Sequence, residues 1–74
     1  MPELPHISGN EAINLFERMG FKVVRQRGSH VVLRKDDRGC VIPLHKELAV
    51  GTLRSAIKQA GITDADFING YKNR

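Results

Sequence analysis

The residues best suited to chemistry are Gly28, Ser29 and His30, a consecutive triplet between two strand-like runs, Phe21-Lys22-Val23-Val24-Arg25-Gln26 and Val31-Val32-Leu33-Arg34. Histidine is the one side chain whose unperturbed pKa lets it take and give a proton near neutral pH. A glycine and a serine beside it leave the backbone open to an approaching phosphate. Arg25, Arg27, Arg34 and Lys35 surround the triplet in sequence. A proton-transfer group among cations suits a polyanion, and RNA carries its own nucleophile, the ribose 2′-hydroxyl. His30 would act as general base or acid, a contribution of typically ~10²–10⁴-fold, while the cations stabilise charge on the phosphoryl oxygens. Such cleavage would leave a 2′,3′-cyclic phosphate and a 5′-hydroxyl, and DNA would resist it.

Each of these residues also has a plainer reading. An isolated histidine more often fills a strand end, Gly28 more often serves a turn, and Ser29 can cap a turn locally. His45 is open between a second acid–base role, a phosphate contact beside Lys46, and a cap for the loop after Pro43. A structural or RNA-contacting role is slightly favoured. His30, Cys40 and His45 could meet as three zinc ligands if the second and third strands pair. Their spacing matches no zinc pattern, and a lone cysteine usually behaves as a small buried hydrophobe. Neither a metal nor a cofactor is expected.

The 74 residues allow one domain, 1–74, with a modest core and an open surface cleft rather than an enclosed site. The formal charge is +4, from 12 Lys and Arg against 8 Asp and Glu. Arg18, Lys22, Arg25, Arg27, Arg34, Lys35 and Arg38 cluster around the first two strands, a stripe that on charge alone suits equally a nucleic acid or acidic protein partner and a solvated face that keeps the protein soluble. With one cysteine there is no internal disulfide, which fits a reducing cytoplasm. No signal-peptide pattern and no apolar run near the ~20 residues of a bilayer span is present, so a soluble, cytoplasmic chain without a membrane partner is expected.

The elements that must position the triplet are also legible. Ser8-Gly9-Asn10-Glu11 reads as a capping box. Ala12, Ile13, Leu15, Phe16 and Met19 follow at helical spacing, and Gly20 stands where a left-handed cap belongs, which predicts a helix over about 9–19. Strands are predicted over 21–26, 30–35 and 40–42. Asp36-Asp37-Arg38-Gly39 gives a tight hairpin with positive φ assigned to Gly39, and Pro43 ends the last strand. Leu53, Ala56, Ile57 and Ala60 form one face of a second helix that Gly61 stops. Gly51-Thr52 is assigned to helix entry and close packing. Thr63-Asp64-Ala65-Asp66 caps a short terminal helical segment carrying Phe67, Ile68 and Tyr71, and Lys72-Asn73-Arg74 frays. His6 falls in an N-terminal segment expected to be mobile. The fold class is therefore α+β, α-β-β-β-α, with a three-stranded antiparallel sheet, two helices on one face and a short extra C-terminal helical turn. With Val31 and Leu33 turned to the helices, His30, Val32 and Arg34 face the other way.

In Met19-Gly20-Phe21, Gly28-Ser29-His30, Pro43-Leu44-His45, Gly51-Thr52-Leu53-Arg54-Ser55-Ala56-Ile57 and Ala60-Gly61-Ile62 the chain resembles the HicA, or YcfA-like, toxin family. The resemblance covers nearly the whole chain, and Ala56, where larger aliphatics are common, is its mild variation. It implies a fold similar to a double-stranded-RNA-binding domain, and a ribonuclease that cuts messenger RNA and halts translation. It also implies a catalytic histidine at His30, and a HicB-type antitoxin as the partner that blocks the site. The expected function is a metal-independent endoribonuclease toxin. The alternative is a non-catalytic RNA-binding module of the same fold, and a domain whose basic face meets an acidic protein is a third reading.

Overall fold

The structure, a computed structural model, describes residues 3–73. Its elements run α1 (Gly9–Arg18), β1 (Lys22–Arg27), β2 (His30–Lys35), β3 (Arg38–Pro43), α2 (Val50–Ala60) and α3 (Asp64–Lys72). The sheet is antiparallel in the order β1-β2-β3, so both links are tight hairpins. The fold is α+β, as expected, although α3 has nine residues where a single turn was expected.

The caps explain where the helices begin and end. Glu11 N donates to the Ser8 hydroxyl, and Ser8 N to the Glu11 carboxylate, which closes the predicted box. Thr63 and Asp66 repeat the arrangement at α3. At the other end of α1, Phe21 N donates to Phe16 O and Gly20 N to Glu17 O, with Gly20 at φ 102°. This is the paired closure that a left-handed glycine permits, and the Phe16 and Phe21 rings seal it edge to face, 5.4 Å apart. α2 ends the same way, through Ile62 N to Ile57 O and Gly61 N to Lys58 O.

Alternation then decides the layers. Val31, Leu33, Cys40 and Ile42 are buried on one face of the sheet, together with Phe16, Leu53, Ile57 and Phe67. His30 and Arg34 are exposed on the other face, and Val32 is half-buried between them.

Four expectations change. Positive φ in the second hairpin belongs to Asp36, at 56°, and Gly39 lies inside β3 opposite Arg34. A Cβ on Gly39 would stand 2.9 Å from Leu33 O, so close approach of the backbone is what a glycine serves there. Gly51 packs against nothing, since a Cβ there meets no atom within 4 Å. The segment before α1 is docked: Leu4 and Ile7 are buried, Leu48 N donates to Ile7 O at 2.8 Å, and Glu3 and His6 are its exposed residues among those described. At the C-terminus Asn73 closes α3 through bonds to Asn69, while Arg74 lies outside the described residues.

Candidate nucleic-acid interface

His30 opens β2 directly after the two-residue turn Gly28-Ser29, where it pairs with Arg27 on β1 and with Pro43 on β3. Gly28 makes the turn possible with φ 58°, and the space around its Cα is open. The Gln26 side-chain amide donates to Gly28 O at 3.0 Å and braces the turn from β1.

The open face is basic because of an irregularity in β1. The register runs Lys22↔Arg34 and Val23↔Leu33, then resumes at Arg25↔Val32 and Arg27↔His30, leaving Val24 as an extra, bulged residue. Simple alternation from the core-side Val23 would send Arg25 and Arg27 toward the helices. The bulge resets the phase, so both arginines share a face with His30. Lys22, Arg25, Arg27 and Arg34 therefore surround His30 and Val32 on one surface. All four cations are exposed, and the one ion pair among the described residues, Arg54–Asp64 at 3.4 Å, involves none of them.

The basic stripe of the sequence divides at the far end of the sheet. Lys35 turns to the helix side, where its Nζ donates to Met19 O at 2.9 Å and lies 6.0 Å from the Phe21 ring centroid. Arg38 reaches Gly61 O at 3.4 Å. The tip of the β2–β3 hairpin thus offers one cation to the carbonyl end of α1 and one to that of α2, a favourable placement against the helix dipoles. Lys35 stands apart from the site to which its sequence neighbours belong. The glycines that end both helices were visible in the sequence, but nothing there paired them with Lys35 and Arg38.

His45 and Lys46 lie at the His30 end. Leu44 N donates to Ser29 O at 2.7 Å, and Gly9 N donates to His45 O at 2.9 Å. The loop after Pro43 is therefore tied on one side to the Gly28-Ser29 turn and on the other to the start of α1. His45 and Lys46 are exposed between buried Pro43 and Leu48.

Cys40 pairs with Leu33 and is buried on the helix face, opposite the face of His30, so the two cannot share a metal. Burial pushes its thiol up from 9.0 to about 11. Among the described residues no group of three or more His, Cys, Asp or Glu could hold a metal ion. No helix among them is long and apolar enough to cross a membrane.

No curated protein matches the sequence. The family model described as the HicA toxin of bacterial toxin–antitoxin matches residues 9–62, from the first residue of α1 to the residue that closes α2. That span holds the whole sheet, His30 and the tied loop, and the chain belongs to the HicA toxin family.

Proposed function

We propose that the chain is a metal-independent endoribonuclease that cleaves messenger RNA in the cytoplasm, arrests translation, and is held inactive by a HicB-type antitoxin. The observation that carries this reading is the surface around His30: an exposed imidazole with Arg27 across from it and Arg25, Arg34 and Lys22 on the same face. RNA supplies the nucleophile, His30 moves the proton, and the arginines hold the phosphates and balance the charge that builds on them. Gly28 and Ser29 leave backbone at the turn within reach of a phosphate, and His45 and Lys46 extend the contact at the same end. The described residues act as one domain carrying one site.

The face carries no Phe, Tyr or Trp: Phe16, Phe21 and Phe67 are all buried in the core. Stacking of bases there is limited to the His30 ring and the arginine planes, and binding rests chiefly on the sugar–phosphate backbone.

The test is cleavage of a long single-stranded RNA in EDTA by the purified protein beside its His30→Ala variant, with the new ends mapped. Cleavage by the parent alone, leaving 5′-hydroxyl ends, is the expected result. Binding without cleavage by either protein would replace the enzyme with a non-catalytic RNA-binding module.

A further inference from the structure

We infer that His45 is the second proton-transfer group of the His30 site, acting as general acid on the leaving 5′-oxygen while His30 acts as general base on the 2′-hydroxyl. The inference rests on the ribonuclease reading and decides among the roles left open for a residue 15 places away in sequence.

Three observations carry it. The first is register: His30 lies across from Pro43, two residues before His45. Cross-strand Cα atoms are ~5 Å apart, and two residues span at most ~7 Å, so the two histidine Cα atoms lie within about 12 Å of each other. Two imidazoles with one phosphodiester between them bridge such a span.

The second is that the loop is built rather than loose. Pro43 and Leu48 are buried at its ends. The bonds from Leu44 N to Ser29 O, Gly9 N to His45 O and Leu48 N to Ile7 O fix its backbone at three places. The bond to Gly9 uses the carbonyl of His45 itself, so the residue is anchored at its main chain while its side chain stays exposed. A catalytic group needs this: a fixed base and a free head.

The third is the surroundings. Neither imidazole has a hydrogen-bond partner among the described residues, so both are free to exchange protons with a substrate. Arg27 lies across from His30 and Arg25 across from Val32, the next residue on that face, and Lys46 and Glu47 follow His45. The end of the sheet thus offers two proton-transfer groups and cations for the phosphate.

The step balances. The bond between the 2′-oxygen and phosphorus forms and the bond between phosphorus and the 5′-oxygen breaks. The 2′-hydroxyl proton passes to the neutral His30 imidazole. The His45 imidazolium gives its proton to the departing 5′-oxygen. The products are a 2′,3′-cyclic phosphate and a 5′-hydroxyl, and exchange with water returns each histidine to its starting state.

The test uses two short RNA substrates that differ at one linkage, one with the natural 5′-oxygen and one with a bridging 5′-sulfur, whose thiolate leaves without protonation. His45→Ala should slow cleavage of the oxygen substrate by ~10²–10⁴-fold and approach the parent's rate on the sulfur substrate. His30→Ala should fail on both. An equal loss by His45→Ala on both substrates would make His45 a positioning residue and overturn the inference, as would normal cleavage of the oxygen substrate. His45→Asn, which keeps a polar side chain of similar reach, should behave as His45→Ala does if the variants fold, and thermal melts of both establish that. Full activity of His30→Ala would instead remove His30 from the mechanism and with it this pairing, and an inactive parent would remove the ribonuclease reading beneath it.

Discussion

The same substitution at two helix-entry glycines should move stability in opposite directions. Gly9 opens α1 and is buried, with its N–H on His45 O at 2.9 Å. A Cβ there would overlap the Pro43 carbonyl oxygen and lie 3.0 Å from Leu44 Cα and 3.1 Å from Pro43 C. All three are backbone atoms, so no side-chain rotation relieves the clash. Gly9→Ala must separate α1 from the loop, losing one hydrogen bond at ~1 kcal/mol and adding overpacking strain of ~1–3 kcal/mol. The better helix propensity of alanine returns less than ~1 kcal/mol. A net loss of about 2–3 kcal/mol is expected, from a total of about 4–11 kcal/mol for a chain of this size. At ~4–8 °C per kcal/mol this lowers the melting temperature by roughly 8–24 °C. Gly51 also sits in the first turn of a helix, but it is exposed and its Cβ position is empty. Gly51→Ala should gain ~0.5–1 kcal/mol, or roughly 2–8 °C. Thermal unfolding followed by circular dichroism measures both. A Gly9→Ala protein that melts at or above the parent would refute the packing of α1 on Pro43, and a lowered Gly51→Ala melt would refute the open surface at α2.

Two further predictions concern charge. Replacing Arg25 and Arg27 together by alanine should lessen the slope of log affinity against log salt for single-stranded RNA by about 1.4, two phosphates at ~0.7 each. Lys35→Ala should leave that slope unchanged and lower stability by ~1 kcal/mol through the lost bond to Met19 O; equal slopes for the two variants would contradict the division of the basic stripe. The Cys40 thiol rises to about 11 in the folded chain from 9.0, so between those pH values the unfolded state has lost a proton that the folded state keeps. Stability is therefore whole below about pH 9 and falls toward pH 11, by up to about 2–3 kcal/mol. Cys40→Val should melt with a shallower pH dependence than the parent over that window, and parallel curves would show that the thiol is not held neutral by burial.

What the residues alone disclosed follows the range of each interaction. Ser8 with Glu11, and Thr63 with Asp66, act over three residues, and Gly20 and Gly61 act at one position, so helix ends could be read directly. Val31 and Leu33 against His30 and Arg34 is a two-residue period, and it assigned the faces of β2. The bulge at Val24 could not be read, because an extra residue in β1 is defined only by what β2 places opposite it. The same holds for Lys35 and Arg38, whose destinations are carbonyls 16 and 23 residues away. The docking of Ile7 uses a bond from Leu48, 41 residues on, and an isolated apolar pair near a terminus gives no such signal. At the candidate site, the basic neighbours of His30 were visible as composition. Their sorting onto one face depended on the bulge; that His45 could come near His30 followed from pairing the second and third strands, but the bond from Leu44 to Ser29 that ties its loop did not.

The two borders of the sheet are unequal, and this bears on how copies of the chain can stack. On the outer side of β3, Val41 N–H is occupied by the Gln59 side chain at 3.3 Å, and Pro43 has no N–H to offer. On the outer side of β1 no helix or strand supplies such a plug, and all six residues are exposed. A ribbon that grows by adding strands needs two usable borders on every unit. The β3 border of this molecule is the poorer of the two, and in a pair of identical copies joined along β1 Lys22, Arg25 and Arg27 would oppose their own kind. One glutamine, one proline and the sign of the charge on β1 thus disfavour fibrous growth without any change to the core.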